Sequence, residues 1–140
     1  MRVTAVLPEH YDLIWPMIKV YMEGAAKYTY GRFTVEDIRN GLDNNPQQLW
    51  IAYEGEKVYG AVITEVTSYP QLKALVMHFT GGIELPKWKP AMLKVLQDFG
   101  KATGCNIIES YGRVGWAKVF EKDGFKSRFM FYELPVENIE

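Results

Sequence analysis

Leu49-Trp-Ile-Ala-Tyr-Glu-Gly-Glu-Lys-Val-Tyr-Gly-Ala-Val-Ile-Thr-Glu-Val66 decides how this chain is read. Leu49 to Tyr53 is a short apolar, β-rich run. Val58 to Val66 is rich in β-branched residues, which fit a pleated surface. Between them, Glu54-Gly55-Glu56 is a tight-turn signal, so the two runs predict a hairpin. After a second turn at Ser68-Tyr69-Pro70, the segment Leu72 to Phe79 continues in the same style. It is expected as a third strand, ended by Gly81 and Gly82.

Outward from this sheet the periodicity changes. Upstream, Arg2 to Val6 alternates weakly and is expected as a first strand. Pro8 suits a helix start. Tyr11, Ile14, Trp15, Ile18, Met22 and Ala25 then recur at helical spacing. Pro16 inside that stripe predicts a kink or a new start. Lys27 to Arg32 reads as a loop. Thr34 is placed to cap a second short helix, with Asp37 three residues on in a variant of the capping box and Asn44, Asn45 and Pro46 as its stop. Downstream, Trp88, Met92, Val95, Leu96, Phe99 and Ala102 predict a helix that Gly104 terminates. Cys105 to Tyr111 is expected as a short buried strand, Val114 to Lys122 as a helix, and Phe125 to Tyr132 as a last strand. The expected order is β-α-α-β-β-β-α-β-α-β, an α/β (α+β) chain with one mixed, mostly antiparallel sheet and helices on both faces. No repeat or linker divides it, so residues 1–140 are expected as one domain.

Composition narrows the function classes. With 48% hydrophobic residues and a net charge of -1, the chain has material for a core and no bulk positive charge for nucleic acid. The basic residues Arg113, Lys118, Lys122, Lys126 and Arg128 are interleaved with Glu121 and Asp123, which dilutes any basic stripe. Its one cysteine, Cys105, has no disulfide partner, and two histidines with one cysteine make a poor metal site, so no metal is expected. No apolar run approaches the roughly 18 residues of a membrane span. A cytoplasmic protein is expected, without a membrane partner.

Ala117-Lys-Val-Phe-Glu-Lys-Asp-Gly-Phe125 resembles the last helix and turn of the GNAT superfamily of N-acetyltransferases, commonly A-x-x-x-Y-E-K-x-G-F. The Glu-Gly-Glu hairpin followed by Val58-Tyr-Gly-Ala61 is similar to that family's second and third strands. More narrowly, Gly112-Arg-Val-Gly-Trp116 resembles a signature of small GNAT-like proteins of tailed bacteriophages. The resemblance implies the GNAT fold and transfer of an acyl group, usually acetyl, from acetyl-CoA to an amine. The acceptor would be a small-molecule amine or a protein lysine.

The residues that would carry this chemistry are then named by position. In the family, a glycine-rich turn, Q/R-x-x-G-x-G/A, presents backbone amides to the coenzyme pyrophosphate. Here the corresponding stretch is Thr80-Gly-Gly-Ile-Glu-Leu-Pro-Lys-Trp-Lys-Pro90, a degenerate version with two glycines, Glu84 that would repel phosphates and two prolines that lack amide donors. Met77, Phe79, Thr80, Gly81 and Gly82 are the candidate backbone contacts to the coenzyme arm, with Lys87, Lys89 and Arg113 as candidate phosphate partners. The glycine pair also reads simply as a strand-ending turn. The family's helix tyrosine falls at Phe120, which has no proton to give. Tyr111 and Tyr132 are the alternative acids. His78 or Glu65, on adjacent strands, is the candidate base; both also read as ordinary strand residues. Alternation directs the side chain of His78 away from Met77 and Phe79. Glu109 is a further carboxylate, and Cys105 reads as a packing residue.

Two groups stand out among the twenty aromatic rings. Trp15, Trp50, Trp88, Phe99, Trp116, Phe120, Phe125, Phe129 and Phe131 fall on faces expected to be buried. Tyr28, Tyr30 and Phe33 fall in the first interhelical loop, which the resemblance places on the acceptor side as substrate-binding residues. The alternative to catalysis is an inactive GNAT-like phage protein that acts as a virion component or binds a host protein. A homodimer is compatible with either reading. If phage-encoded, the protein would act in the host cytoplasm or in the virion.

Overall fold

Strand β2 (Gln47–Glu54) and strand β3 (Lys57–Ser68) form the expected hairpin, turning at Gly55 with a left-handed φ of 60°. A computed structural model describes residues 1–111 and 121–137. Leu49 and Ile51 enter one core, and Trp50 and Ala52 enter another on the opposite face. Both faces of β2 are therefore covered, which explains why its sequence is continuously apolar rather than alternating. Strand β1 (Arg2–Val6) pairs antiparallel with β2, and β4 (Lys73–Gly82) antiparallel with β3. Strand β5 (Ile107–Ser110) runs parallel to β4, giving the order β1-β2-β3-β4-β5.

Helices α1 (Tyr11–Lys27) and α2 (Val35–Asn44) cover one face through Ile18, Met22, Ile38 and Leu42. Helix α3 (Leu85–Ala102) covers the other through Trp88, Met92 and Leu96. Among the described residues, no helix is long and apolar enough to cross a membrane.

Local chemistry sets the helix boundaries. Thr34 and Asp37 form a reciprocal capping box: the Asp37 N–H donates to Thr34 Oγ1 at 3.2 Å, and the Thr34 N–H donates to Asp37 Oδ2 at 2.9 Å. Helix α3 ends in a Schellman turn, with Gly104 at φ 78°, the Cys105 N–H on Gly100 O and the Gly104 N–H on Lys101 O. Pro16 neither restarts nor ends α1. Its ring and Asp12, whose carbonyl loses its helical partner, both lie on the exposed side.

Three expectations are corrected. Strand β4 does not stop at Phe79 before the glycine pair but includes Gly81 and Gly82 as its last residues, pairing with Ala61 and Gly60. Strand β5 stands at the edge of the sheet among the described residues, and Ile107 is exposed rather than buried. Among the described residues, the segment Phe125 to Tyr132 makes no sheet pairing. Phe125 packs against the α3 core, but Phe129 is 97% and Phe131 74% exposed. Arg32 draws this segment toward the α1–α2 loop instead, stacking over the Phe131 ring at 4.8 Å and pairing with Glu133 at 3.3 Å. The expected helix over 114–122, with Arg113, Trp116 and Phe120, lies outside the described residues except for its end at Glu121 and Lys122.

Candidate functional site

The register of β3 against β4 slips at one point. Ile63 faces Phe79 and Thr64 faces Met77, which leaves His78 as an extra residue in β4. Such a bulge re-aims side chains. Instead of pointing opposite ways, His78 and Phe79 bring their rings to 6.1 Å, correcting the simple alternation expected from sequence. His78 Nε2 then lies 3.0 Å from Glu65 Oε1. The two sequence candidates for a base are thus one contacting pair, each half-buried.

Gln47 completes this arrangement, and sequence reasoning missed it. Its Nε2 donates to Glu65 Oε1 at 3.3 Å from the neighbouring strand β2. Gln47, Glu65, Val76 and Glu109 stand in one cross-strand row, by the pairings Gln47–Glu65, Glu65–Val76 and Val76–Glu109. Directly paired residues share a face, so the two carboxylates stand on one side of the sheet, separated by two strand spacings, roughly 10 Å. A polar residue at the start of β2 was the available signal, but only the register reveals its partner.

The site opens where β4 leaves β5. Their pairing stops at Met77 and Ser110, while β4 continues to Gly82. Beyond Met77, among the described residues, β4 has a strand partner on the β3 side only. A wide cleft is lined there by Glu65, Met77, His78, Phe79, Thr80, Gly81 and Gly82 on the strands, and by Tyr28, Tyr30 and Phe33 on the α1–α2 loop. Thr29 shapes this loop: its hydroxyl donates to Ala26 O and accepts from the Phe33 N–H. Phe33 packs edge-on against Phe79 with ring centroids 5.2 Å apart. Tyr30 is 73% exposed and adopts a left-handed φ of 54°. These three rings remain outside the core, as expected.

On the far wall, the Tyr69 hydroxyl donates to Glu109 Oε2 at 2.9 Å, which pushes the phenol up to about 12. Tyr111 follows β5 at the mouth of the cleft and interacts with Tyr69. Tyr132 does not line the cleft; its hydroxyl donates to Met130 Sδ.

The turn from β4 into α3 has a different character. Ile83 N–H donates to Tyr59 O at 2.8 Å, and Lys87 N–H to Glu84 O at 2.9 Å. Lys87 Nζ pairs with Glu84 Oε1 at 2.9 Å, which raises the lysine above its usual value. Lys89 Nζ pairs with Asp123 Oδ2 at 2.8 Å. Both glycines have packing reasons. A β-carbon on Gly81 would sit 2.3 Å from Tyr21 O, and one on Gly82 2.4 Å from Tyr59 O.

No known family profile and no curated protein matches this sequence. Solved structures do match in shape. A probable acetyltransferase superposes with a TM-score of 0.73 at 18% identity, covering 99% of both chains. A ribosomal-protein-alanine N-acetyltransferase from Brucella melitensis biovar Abortus 2308 has a TM-score of 0.71 at 15% identity, covering 96% of this chain and 99% of that one. The fold is GNAT-like. An aminoglycoside acetyltransferase from an uncultured soil metagenomic sample agrees, with a TM-score of 0.71 at 15% identity over 97% and 98% of the chains. At these identities the likeness is one of fold, and function has to be argued from the site. Within this GNAT-like fold, the structure joins His78 to Glu65 and places both beside the aromatic loop. It pairs Lys87 and Lys89 with carboxylates and leaves Tyr132 apart.

Proposed function

We propose that this protein transfers an acyl group from a thioester to a primary amine. The observation that carries the reading is the bulged His78, in contact with Glu65, at the point where β4 parts from β5. The bulge costs sheet pairing and leaves an imidazole in contact with a carboxylate at an open cleft, which supports its reading as the base.

The chemistry follows from the residues. The ammonium form of the acceptor is attracted by Glu65 and Glu109 and flanked by Tyr28, Tyr30 and Phe33. With Nε2 donating to Glu65, His78 keeps a lone pair on Nδ1, and the carboxylate stabilises the imidazolium that forms. His78 removes a proton from the ammonium. The amine nitrogen attacks the thioester carbonyl carbon; the C–N bond forms and the C–S bond breaks. The leaving thiolate takes a proton from Tyr111 at the end of β5, and the second proton shed by the attacking nitrogen restores Tyr111. The balance is ammonium plus thioester giving amide, thiol and one released proton. The acceptor is a small amine or a lysine side chain.

The fit to acetyl-CoA is divided. The edge of β4 that has no strand partner among the described residues suits the amides of the pantetheine arm, while the turn into α3 suits the pyrophosphate poorly, because its Ile83 and Lys87 amides and both lysines are engaged by the protein itself. The direct test is release of free thiol from an acetyl thioester across a panel of amines. Release that depends on an added amine and is lost in His78→Ala supports the reading; no release with any amine or thioester rejects it. A second, non-catalytic reading as a binder of a host or virion protein draws on one observation, the exposed apolar side chains from Phe129 to Val136. It gains weight only if the thiol assay is negative.

A further inference from the structure

We infer that the acyl donor is recognised through its pantetheine arm and not through a nucleotide. Thioesters of pantetheine, free or carried as 4′-phosphopantetheine on a protein, would then serve as well as the coenzyme A thioester. The inference rests on the acyl-transfer reading and names the donor class for it.

Binding a pyrophosphate at the start of a helix requires free amides and unspent positive charge. Around the first turn of α3 two amides and both lysines are already engaged. The Ile83 amide is held by Tyr59 O, the Lys87 amide by Glu84 O, and Pro86 has none. Glu84 occupies the N-cap in a left-handed conformation, φ 51°, and adds a negative charge beside the helix start, with its carboxylate on Lys87. It neutralises Lys87. Lys89 is held by Asp123 in a pair whose side chains are only 19% and 21% exposed. Drawing Lys89 away to a phosphate would strand Asp123 in a partly desolvated place. Gly81 and Gly82 do not open a path for phosphate; their missing side chains admit the backbones of α1 and β3.

The arm itself has a partner. Past Met77 and Ser110, the edge of β4 turned away from β3 continues to Gly82. An extended ligand with two amides can add to such an edge as a short strand. Its thioester end would then lie beside His78.

The test uses the intact protein with one amine and three donors: acetyl-CoA, S-acetylpantetheine and an acetylated carrier protein. We expect kcat/KM for S-acetylpantetheine and acetyl-CoA to agree within about threefold. Calorimetry should give Kd values for coenzyme A and pantetheine in the same ratio, and adenosine 3′,5′-bisphosphate should not compete. Glu84→Gln should improve acetyl-CoA alone, by about threefold to tenfold, and Arg113→Ala should leave the donor ratio unchanged. A carrier-bound thioester turned over faster than S-acetylpantetheine places the arm on a protein; slower turnover places it on the small thioester, and either result supports the inference. Preference for acetyl-CoA by more than about thirtyfold, competition by the bisphosphate, or loss of acetyl-CoA use alone in Arg113→Ala overturns it while leaving acyl transfer standing. Turnover of no thioester overturns both.

Discussion

The two ends of the cleft differ in how their polar groups are satisfied. On the acceptor wall, His78, Glu65 and Gln47 bond to one another across three strands yet still face the opening. At the turn into α3, Glu84 pairs with Lys87 and Lys89 with Asp123 as salt bridges, and the Ile83 and Lys87 amides bond to Tyr59 O and Glu84 O. The difference teaches that a shared scaffold does not carry a shared site. The same sheet geometry supports a chemically poised wall at one end and a self-neutralised turn at the other.

The largest expected effect falls on the first of these. His78→Ala should lower the transfer rate by about 10²–10⁴, the usual contribution of a positioned base, with little change in thermal stability. Equal loss of stability and activity would make the pair structural and erase the contrast. Gly81→Ala probes the other end. The added carbon meets Tyr21 O, which belongs to helix backbone and cannot turn aside. A cost of about 3 kcal/mol is expected in denaturant unfolding. A neutral result would mean that the glycine serves a ligand instead of packing.

Smaller effects refine the acceptor wall. Tyr30→Ala should weaken acceptor binding by about tenfold, seen in KM, while stability stays within about 0.5 kcal/mol. A large stability loss would return the loop rings to the core. Thr34→Ala removes half of the α2 capping box and should cost about 1 kcal/mol in chemical unfolding. Asp37 is held below its ordinary 3.8, first by the Thr34 amide and then by its hydroxyl. A lowered folded value means that the stabilisation is complete above 3.8 and disappears as pH falls through the folded value. Asp37→Asn should therefore flatten the acid limb of the stability curve, measured between about pH 5 and 2.

The last effect is spectroscopic. Tyr69 should ionise near 12 because its hydroxyl bonds to the Glu109 carboxylate. That raised value makes the bond fully stabilising below the ordinary 10.0 and progressively lost as pH rises toward 12. In Glu109→Gln the phenolate absorbance should shift back toward the ordinary range. No shift would detach Tyr69 from the far wall.

Much of the frame was legible because its causes are local. The Thr34–Asp37 cap, the Gly55 turn and the Gly104 stop each act within a few residues, where spacing alone reveals them. The candidates His78 and Glu65 were legible as polar residues on neighbouring apolar strands. Their contact was not, since it depends on a one-residue slip in pairing that no periodicity records. Gln47 was hidden for the same reason. The last strand misled the reading: Phe125, Phe129 and Phe131 alternate as a strand should, but alternation supplies no partner edge, and Arg32 takes the segment elsewhere.

By itself the sequence determined the hairpin, the helix faces and caps, and the apolar residues of two cores, because propensity and burial are encoded within single elements. The tertiary structure alone decided that His78 meets Glu65, that Lys89 is claimed by Asp123, and that Gly81 answers to a helix backbone. Those outcomes depend on which distant groups arrive within a few ångströms of one another, and bonds between side chains form at that distance whatever separates them along the chain.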